Sequence, residues 1–368
     1  MNDKVTKVLH YVSIMDRGGE ETFIMNVFRT IDRSKVMFDF ICTLPEDGEY
    51  GEEIKELGGK VWHADFDRRK DHLRPLDNAI ILKRFLKSHK GEFDVFHIHT
   101  QHAMDGVISS WAAKSAGVGK VIVHSHSANT VFHRTAHRIC RPILGHMRIL
   151  RFACSGAAGR WLFGNGRFDV VKSGIESERF LFNQSIRGKV RKENGWEGRF
   201  VIGHVGNFTY PKNHDFMIRI MKILSSSEPE ALMVFIGKGD DMNKYLSLAE
   251  QLGIEDRIRF MGPREDVSEL YQGMDFFIFP SLFEGLGMAL IEAQISGLHC
   301  LASTEVPAET RLSEESVSFK SLSDGPESWA KAIVTGKSYP RKNMAQEAVE
   351  AGIDIKSIAS LLTEYYRN

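Results

Sequence analysis

The sequence predicts an α/β protein built as two doubly wound, Rossmann-like parallel-sheet domains. Three observations carry this: two successive runs of alternating strand-like and helix-like segments, a polar break between them, and a length of 368 residues, which suits two cores better than one. In the first run Val5–Ile14, Val36–Leu44, Phe93–His99, Lys120–His124 and Ile149–Ser155 are strand-like, with helical stretches such as Glu21–Ile31, Ala79–His89 and Ala103–Ala116 between them. In the second, Arg199–Gly206, Ala231–Gly237, Arg257–Gly262, Asp275–Pro280 and Leu298–Ser303 alternate with helices near His214–Leu224, Asp241–Leu252 and Met288–Ser296. Near-continuous apolar strands separated by helices belong to parallel sheets covered on both faces. The charge-dense segment Asn183–Arg199, with Gly188, Gly195 and Gly198, reads as the boundary, giving domains at 1–182 and 183–352 and a terminal helix within 353–368. Ligands of such sheets bind beyond the carboxyl ends of the strands, so functional residues are sought there.

Composition narrows the class. Hydrophobic content of 42%, charged content of 26% and zero formal net charge are those of a globular protein. The N-terminal residues lack the apolar core of a signal peptide, and no apolar run reaches the ~20 residues needed to span a bilayer, so a cytoplasmic location is expected. Cys42, Cys140, Cys154 and Cys300 are scattered without a Cys-x-x-Cys pair, which argues against a disulfide framework or a thiolate metal site and for buried thiols.

The most informative stretch is Phe279-Pro-Ser-Leu-Phe-Glu284-Gly285-Leu286-Gly287-Met-Ala-Leu-Ile-Glu292. A buried strand ends at Pro280, and the helical composition from Met288 to Ser296 stops at Gly297. Two glycines therefore sit at a helix N-terminus, where unpaired amides and the macrodipole favour a phosphate or pyrophosphate. Glu284 and Glu292 flank that turn as acceptors for sugar hydroxyls. The plainer alternative is that Glu284 caps the helix and Glu292 is a solvated surface residue. A second phosphate candidate is Gly206-Asn207-Phe-Thr-Tyr-Pro-Lys212, where a strand ends and an ammonium stands before the next helix; a surface lysine beside a turn proline is the alternative. Near the start, Gly18 and Gly19 follow the first strand and permit close backbone approach, or form an ordinary turn with Glu20 and Glu21 in the helix's first turn.

The Glu-x7-Glu spacing after an apolar strand and Pro-Ser is similar to the motif of the large retaining glycosyltransferase family four, and the chain resembles its exopolysaccharide and capsule members from Gly18-Gly19 to the last helix. The resemblance implies the GT-B architecture, two such domains facing across a cleft, with the last helix, Ile353–Tyr366, crossing back onto the first domain. It implies transfer of a sugar from a nucleotide diphosphate, UDP foremost, to a saccharide acceptor, lipid-pyrophosphate-linked (undecaprenyl) in many relatives. Glu292 would hold the ribose hydroxyls, Glu284 the transferred sugar, and Gly285, Leu286 and Gly287 with Lys212 the pyrophosphate. Arg264, after the strand ending near Gly262, would read nucleobase and diphosphate, though a surface arginine fits as well. Gly18 and Gly19 would reach over acceptor and donor phosphates, with Glu21 matching the family's glutamate, and His126 would stand on the acceptor side, with His124 as the alternative. The family usually carries an arginine directly after the glycine at 206. Asn207 brings an amide without charge, so stabilisation should lean harder on Lys212 and the glycine turn. Ser173-Gly-Ile-Glu176 also departs from the Asn-Gly-Ile/Val-Asp turn of relatives. Retention by a front-face path needs no protein base, whereas a double displacement would use Glu284 as nucleophile.

Two metal patterns compete with this reading. His97-Ile-His99-Thr-Gln-His102 is one residue from the His-x-His-x-Asp-His pattern of zinc hydrolases, but Gln101 replaces the aspartate. Asp65-Phe-Asp67 is formally an Asp-x-Asp within a charged loop. The resemblance implies no divalent ion, so metal-independent activity is expected. A sugar-nucleotide epimerase of the same architecture is the other enzymatic alternative.

Charge is uneven. From Gly106 to Phe168 there is no acid, against Lys114, Lys120, Arg134, Arg138, Arg141, Arg148, Arg151, Arg160 and Arg167. Interleaved with Val131, Phe132, Ile139, Ile143, Leu144 and Met147, the Arg134–Arg151 part suits an anionic membrane surface, with a solvated basic face as the alternative. No nucleic-acid recognition motif accompanies it.

Overall fold

The computed structural model describes residues 4–66, 74–129 and 133–368. The chain divides into two compact units, Met1–Ile175 with Gly352–Asn368, and Glu176–Ala351. The first holds a seven-stranded parallel sheet of β1 (Thr6–Val12), β2 (Val36–Cys42), β3 (Val61–His63), β4 (Val95–Thr100), β5 (Lys120–Ser125), β6 (Leu150–Ala153) and β7 (Asp169–Val170), in the order β3-β2-β1-β4-β5-β6-β7. The second holds six parallel strands, β8 (Phe200–Val205), β9 (Ala231–Ile236), β10 (Ile258–Phe260), β11 (Phe276–Phe279), β12 (His299–Ser303) and β13 (Val317–Lys320), in the order β10-β9-β8-β11-β12-β13. In both, the order reverses beside the first strand of the unit, the switch point at which ligands of open sheets bind. Every residue of β4, β9 and β11 is buried, as expected of strands covered by helices on both faces.

The boundary differs from the sequence expectation. Asn183–Arg199 is not a linker: Gln184–Glu193 is a helix of the second unit, capped by Asn183, whose side chain accepts from the Ser185 and Ile186 amides. Its two arginines are turned inward, while Lys189, Lys192 and Glu193 stay exposed. Arg187 and Arg191 reach one carboxylate, Asp275, at 2.5 and 3.0 Å, and Asp275 also accepts the Val201 amide at the start of β8. A helix docked by arginines carries the composition of a solvated linker, which is why its pattern misleads. Residues 176–182, placed by sequence in the first domain, lie in the second unit.

The terminal helix, Ile355–Arg367, belongs to the first unit. Ile355, Ile358, Ala359, Leu362 and Tyr366 form a stripe at helical spacing that joins the core containing Val8, Phe28 and Phe38. The Asp354 carboxylate caps its start, and Lys120 donates to the Tyr365 and Tyr366 carbonyls at its end. Gly174 makes this possible, because a Cβ there would lie 2.6 Å from Ile355 Cδ1 and 3.1 Å from its Cα. The Ser173-Gly-Ile-Glu176 turn is thus the seat of the terminal helix, with Ile175 bridged to Asp354. Cys42, Cys154 and Cys300 are buried, Cys140 is half-buried, and none of the four is in a disulfide. Among the described residues no helix is long and apolar enough to cross a membrane.

Candidate active site

In the second unit the loops leaving β8, β9, β10 and β11 are tied to one another. The Gly206 amide donates to the Ile236 carbonyl, and the Gly237 amide to that of Gly262. Gly237 adopts φ +152°, and a Cβ on it would lie 2.1 Å from the Gly206 carbonyl oxygen, so only glycine lets these loops close. Sequence reasoning missed Gly237; the signal was the Gly237-Lys-Gly239 turn at the end of β9.

The loop after β8 continues through the turn Tyr210–Lys212 to Asn213, a non-glycine residue at φ +58°. Asn tolerates this left-handed conformation, and its side-chain amide donates to the Pro280 carbonyl at 3.1 Å. The Leu282 amide donates to the Pro211 carbonyl at 2.8 Å. Those two bonds lay the β8 and β11 loops side by side. As a result Lys212 Nζ sits 2.6 Å from Glu284 Oε1, with both side chains mostly buried, and 5.1 Å from the Phe279 ring centroid. The sequence named both residues without pairing them.

Glu284 does not cap the helix. Gly287, at φ +87°, is the N-cap of Met288–Ile295, with no side-chain cap bond. Leu286 is buried below it, while Gly285 and Gly287 complete the turn. Nor is Glu292 a solvated residue. The Tyr271 hydroxyl donates to its Oε2 at 3.0 Å, and burial pushes the carboxyl up to about 7 against the opposing pull of Tyr271 and Arg179. Arg264, by contrast, is half exposed and committed to Asp266 through a two-pronged ion pair at 2.8 and 2.7 Å. Asn207 lies half-buried in the same loop system as Lys212.

In the first unit Gly18 caps the helix Gly19–Thr30, and a Cβ on it would lie 2.2 Å from the Glu21 carboxylate, which folds back under the turn. Burial, reinforced by Glu21, raises the Glu20 carboxyl well above its usual range. The histidines assemble differently from the hydrolase pattern. His10, His97, His99, His124 and His126 share one face of the sheet, set by the register that pairs His10 with His97 and His99 with His124. His10 Nδ1 lies 2.9 Å from His99 Nε2, His99 Nδ1 lies 2.8 Å from His126 Nε2, and His97 Nδ1 lies 2.8 Å from the Tyr366 hydroxyl. His102 stands apart: its ring caps the helix Ala103–Ala116 and bonds the His133 carbonyl. The set His97, His99 and His102 is therefore not one cluster. His126 is half-buried and His124 wholly buried, which favours His126 as the group open to a substrate. Of Asp65-Phe-Asp67, Asp67 lies outside the described residues.

Residues 18–162 match the family description "Glycosyl transferase 4-like domain" and residues 186–333 match "Glycosyl transferases group 1". EpsF of Bacillus subtilis strain 168, a protein assigned as a glycosyltransferase, is 31% identical over 383 residues, covering 99% of this chain and 97% of its own length. An Escherichia coli protein named UDP-Gal:alpha-D-GlcNAc-diphosphoundecaprenol alpha-1,3-galactosyltransferase is 22% identical over 320 residues, covering 81% of this chain and 79% of its own. In fold, the chain is similar to HepE of Anabaena, solved in complex with UDP-glucose, with a TM-score of 0.79, 18% identity and 98% of each chain covered. Because the EpsF match runs end to end through both parallel sheets, the chain belongs to glycosyltransferase family four, the retaining enzymes of GT-B fold.

Proposed function

We propose that the protein transfers a hexose from a UDP-sugar to a saccharide acceptor with retention and without a metal ion, in exopolysaccharide or capsule synthesis. The observation that carries this reading is the Lys212–Glu284 pair at 2.6 Å beside the Gly285–Gly287 helix start. An ammonium has three donors, so Lys212 can hold Glu284 and still face a diphosphate, supplying the positive charge that a metal ion supplies elsewhere. Glu284 then orients the transferred sugar, Glu292 accepts from the ribose hydroxyls, and the glycine turn with Leu286 receives the diphosphate on backbone amides. Gly206 keeps the loop close beneath it: a Cβ there would lie 3.3 Å from Lys212 Cε. Asn207 adds an uncharged donor, Arg264 would approach the diphosphate while Asp266 holds it through Nε and Nη2, and Gly18, Gly19 and His126 belong to the acceptor side. A departing phosphate oxygen takes the acceptor proton in this reading, so no general base is assigned. The UDP donor is also supported by the names of the Escherichia coli and Anabaena relatives.

Calorimetric titration tests the donor site, and the Glu292 carboxyl gives it a signature. UDP-glucose has no ionisation of its own near neutrality, and its hydroxyls bond the carboxylate more strongly than the neutral acid. With Glu292 near pH 7 in the free protein, affinity is expected to rise about tenfold from pH 6 to pH 8, with uptake of ligand coupled to release of a proton. Glu292→Gln should flatten this dependence, Glu292→Ala should weaken binding, and EDTA should change neither. Binding that is pH-independent in the wild type and unaffected by Glu292→Ala would sink the assignment.

The acceptor is proposed to be lipid-pyrophosphate-linked, as the Escherichia coli relative's name describes for that protein. Supporting this, the helix Arg134–His146 exposes Ile139 and Ile143 (63% and 51% accessible) among exposed Arg134 and Arg138, with exposed Arg148 beyond it. The surface is narrower than the sequence suggests. Arg151 is turned inward onto the Leu144 and Met147 carbonyls, Lys120 holds the terminal helix, and Val131 and Phe132 lie outside the described residues. Basic side chains contribute about 1 kcal/mol each at an anionic bilayer, to which two isoleucines add buried apolar area. The protein is expected to sediment with phosphatidylglycerol vesicles at low salt and to lose at least about tenfold in partitioning with Arg138→Glu and Ile139→Asp combined. Equal sedimentation of wild type and variant would remove this surface from the account.

A further inference from the structure

We propose that His99, His124 and His126 form a site for a single late first-row divalent cation, zinc foremost, at the carboxyl ends of β4 and β5. One ring nitrogen from each lies within 4.8 Å of those of the other two. The fold puts them there: His99 is the register partner of His124, and His126 follows two residues on along the same face. His99 Nδ1 and His126 Nε2 stand 2.8 Å apart, two nitrogens converging on one proton, which a cation would displace to the other nitrogen of the ring that carries it, leaving both imidazoles neutral. Both nitrogens of His124 are buried without a hydrogen-bond partner, the nearby Val171 carbonyl lying outside bonding geometry. Zinc–nitrogen bonds of ~2.0–2.1 Å separate tetrahedral ligands by ~3.3 Å, so His124 closes by at most ~1.5 Å and the other pair opens by ~0.5 Å.

A ligand histidine is fixed by a bond from its second nitrogen, and His99 has one, with Nε2 2.9 Å from His10 Nδ1. Three neutral imidazoles without a carboxylate select zinc, copper, nickel or cobalt over magnesium, calcium or manganese. Three protein ligands also leave a position open to water. The other close set, His10, His97 and His99, is wholly buried with His97 tied to Tyr366, whereas half-buried His126 gives the cation a way in. The cation is a regulator rather than a cofactor. By occupying His126 it blocks the acceptor side, a consequence that rests on the function proposed above, although the binding itself does not.

The test is a cobalt(II) titration of the chelator-treated full-length protein, followed by the visible absorption of tetrahedral cobalt and by displacement with zinc. One cobalt per chain is expected, bound at least tenfold more weakly by His126→Gln and by His124→Gln. His63→Gln, at the exposed end of β3, should leave binding unchanged. Circular dichroism on each variant separates lost ligands from lost fold, and half-buried His126 is the substitution the core tolerates better. Substoichiometric cobalt, or binding that survives both His124→Gln and His126→Gln, would overturn the proposal. UDP calorimetry on the same samples keeps the two readings apart: cobalt bound without UDP removes the transferase site and leaves the metal site, and the reverse removes only the metal site.

Discussion

Replacing Lys212 by alanine is expected to lower the turnover number for sugar transfer by about 10²–10³-fold, the cost of removing one donor aimed at charge that develops in the transition state. Two features set the size. The residue after Gly206 is Asn207, so the loop supplies no guanidinium beside the lysine, and Arg264 is already engaged by Asp266. In the function proposed above, the departing diphosphate therefore has one nearby cation among the assigned residues. In addition, Lys212 is the partner of Glu284 at 2.6 Å in a mostly buried setting, so its loss leaves a carboxylate uncompensated at the proposed sugar position. Turnover should fall more than the donor Michaelis constant rises, because the diphosphate keeps the helix start and its backbone amides. Lys212→Arg should recover only part of the loss, since a planar fork cannot occupy the same point between Glu284 and a phosphate. The measurement is acceptor-dependent UDP release under saturating donor. A turnover number within about threefold of wild type would show that the pair is structural and that the charge is neutralised elsewhere.

Much of this was legible in the chain itself. All ten expected strands form: nine have four or more residues and are rich in buried apolar side chains, the pattern of a covered parallel strand, and the tenth, β10, has three with Arg259 exposed between two apolar residues. The three that were missed, β3, β7 and β13, are two to four residues long and lie at or next to sheet edges, where burial writes a weaker pattern: both residues of β7 are exposed. Local motifs marked Glu284, Glu292 and Lys212, since a glycine turn between strand and helix is a contiguous signal. What no contiguous signal carries is pairing. That Lys212 meets Glu284 depends on Asn213 and Pro280, 67 residues apart, sharing a hydrogen bond. That Tyr271 holds Glu292, or that His10 holds His99, depends likewise on separate strands and helices brought together. The helix Gln184–Glu193 failed for the opposite reason: its arginines are spent on a partner far along the chain, and composition cannot tell an inward charge from a solvated one.

Lowering the pH from 7 to 5 is expected to remove several kcal/mol of stability from the first unit. Five histidines lie together on one face of its sheet. Burial lowers His10 and His126 to about 3 and, with mutual repulsion of charged rings, holds His97, His99 and His124 well below the usual imidazole range. The sign follows from proton counting. In the unfolded chain these rings titrate near 6.5, so below that pH the unfolded state binds protons that the folded state refuses. Their stabilising contribution is complete above about pH 6.5 and declines toward the folded values near 3, at up to ~1.4 kcal/mol per pH unit for each histidine. Glu20 acts in the opposite direction, since its raised carboxyl favours the folded state as pH falls, but it is one group against five. Even two histidines titrating fully cost about 4 kcal/mol by pH 5, a large share of a domain stability of ~5–15 kcal/mol. The loss should begin at the terminal helix, because the His97–Tyr366 bond at 2.8 Å ties it to the cluster. Urea unfolding at stepped pH gives the slope in protons, and hydrogen exchange should locate the early opening at Ile355–Arg367 and β4. His10→Phe, whose ring would stand among Phe38 and Phe40, should reduce the slope by about one proton. A stability that stays flat from pH 7 to 5, or a slope unchanged in that variant, would mean the cluster is already wet or already protonated, and the dry histidine face would have to be given up.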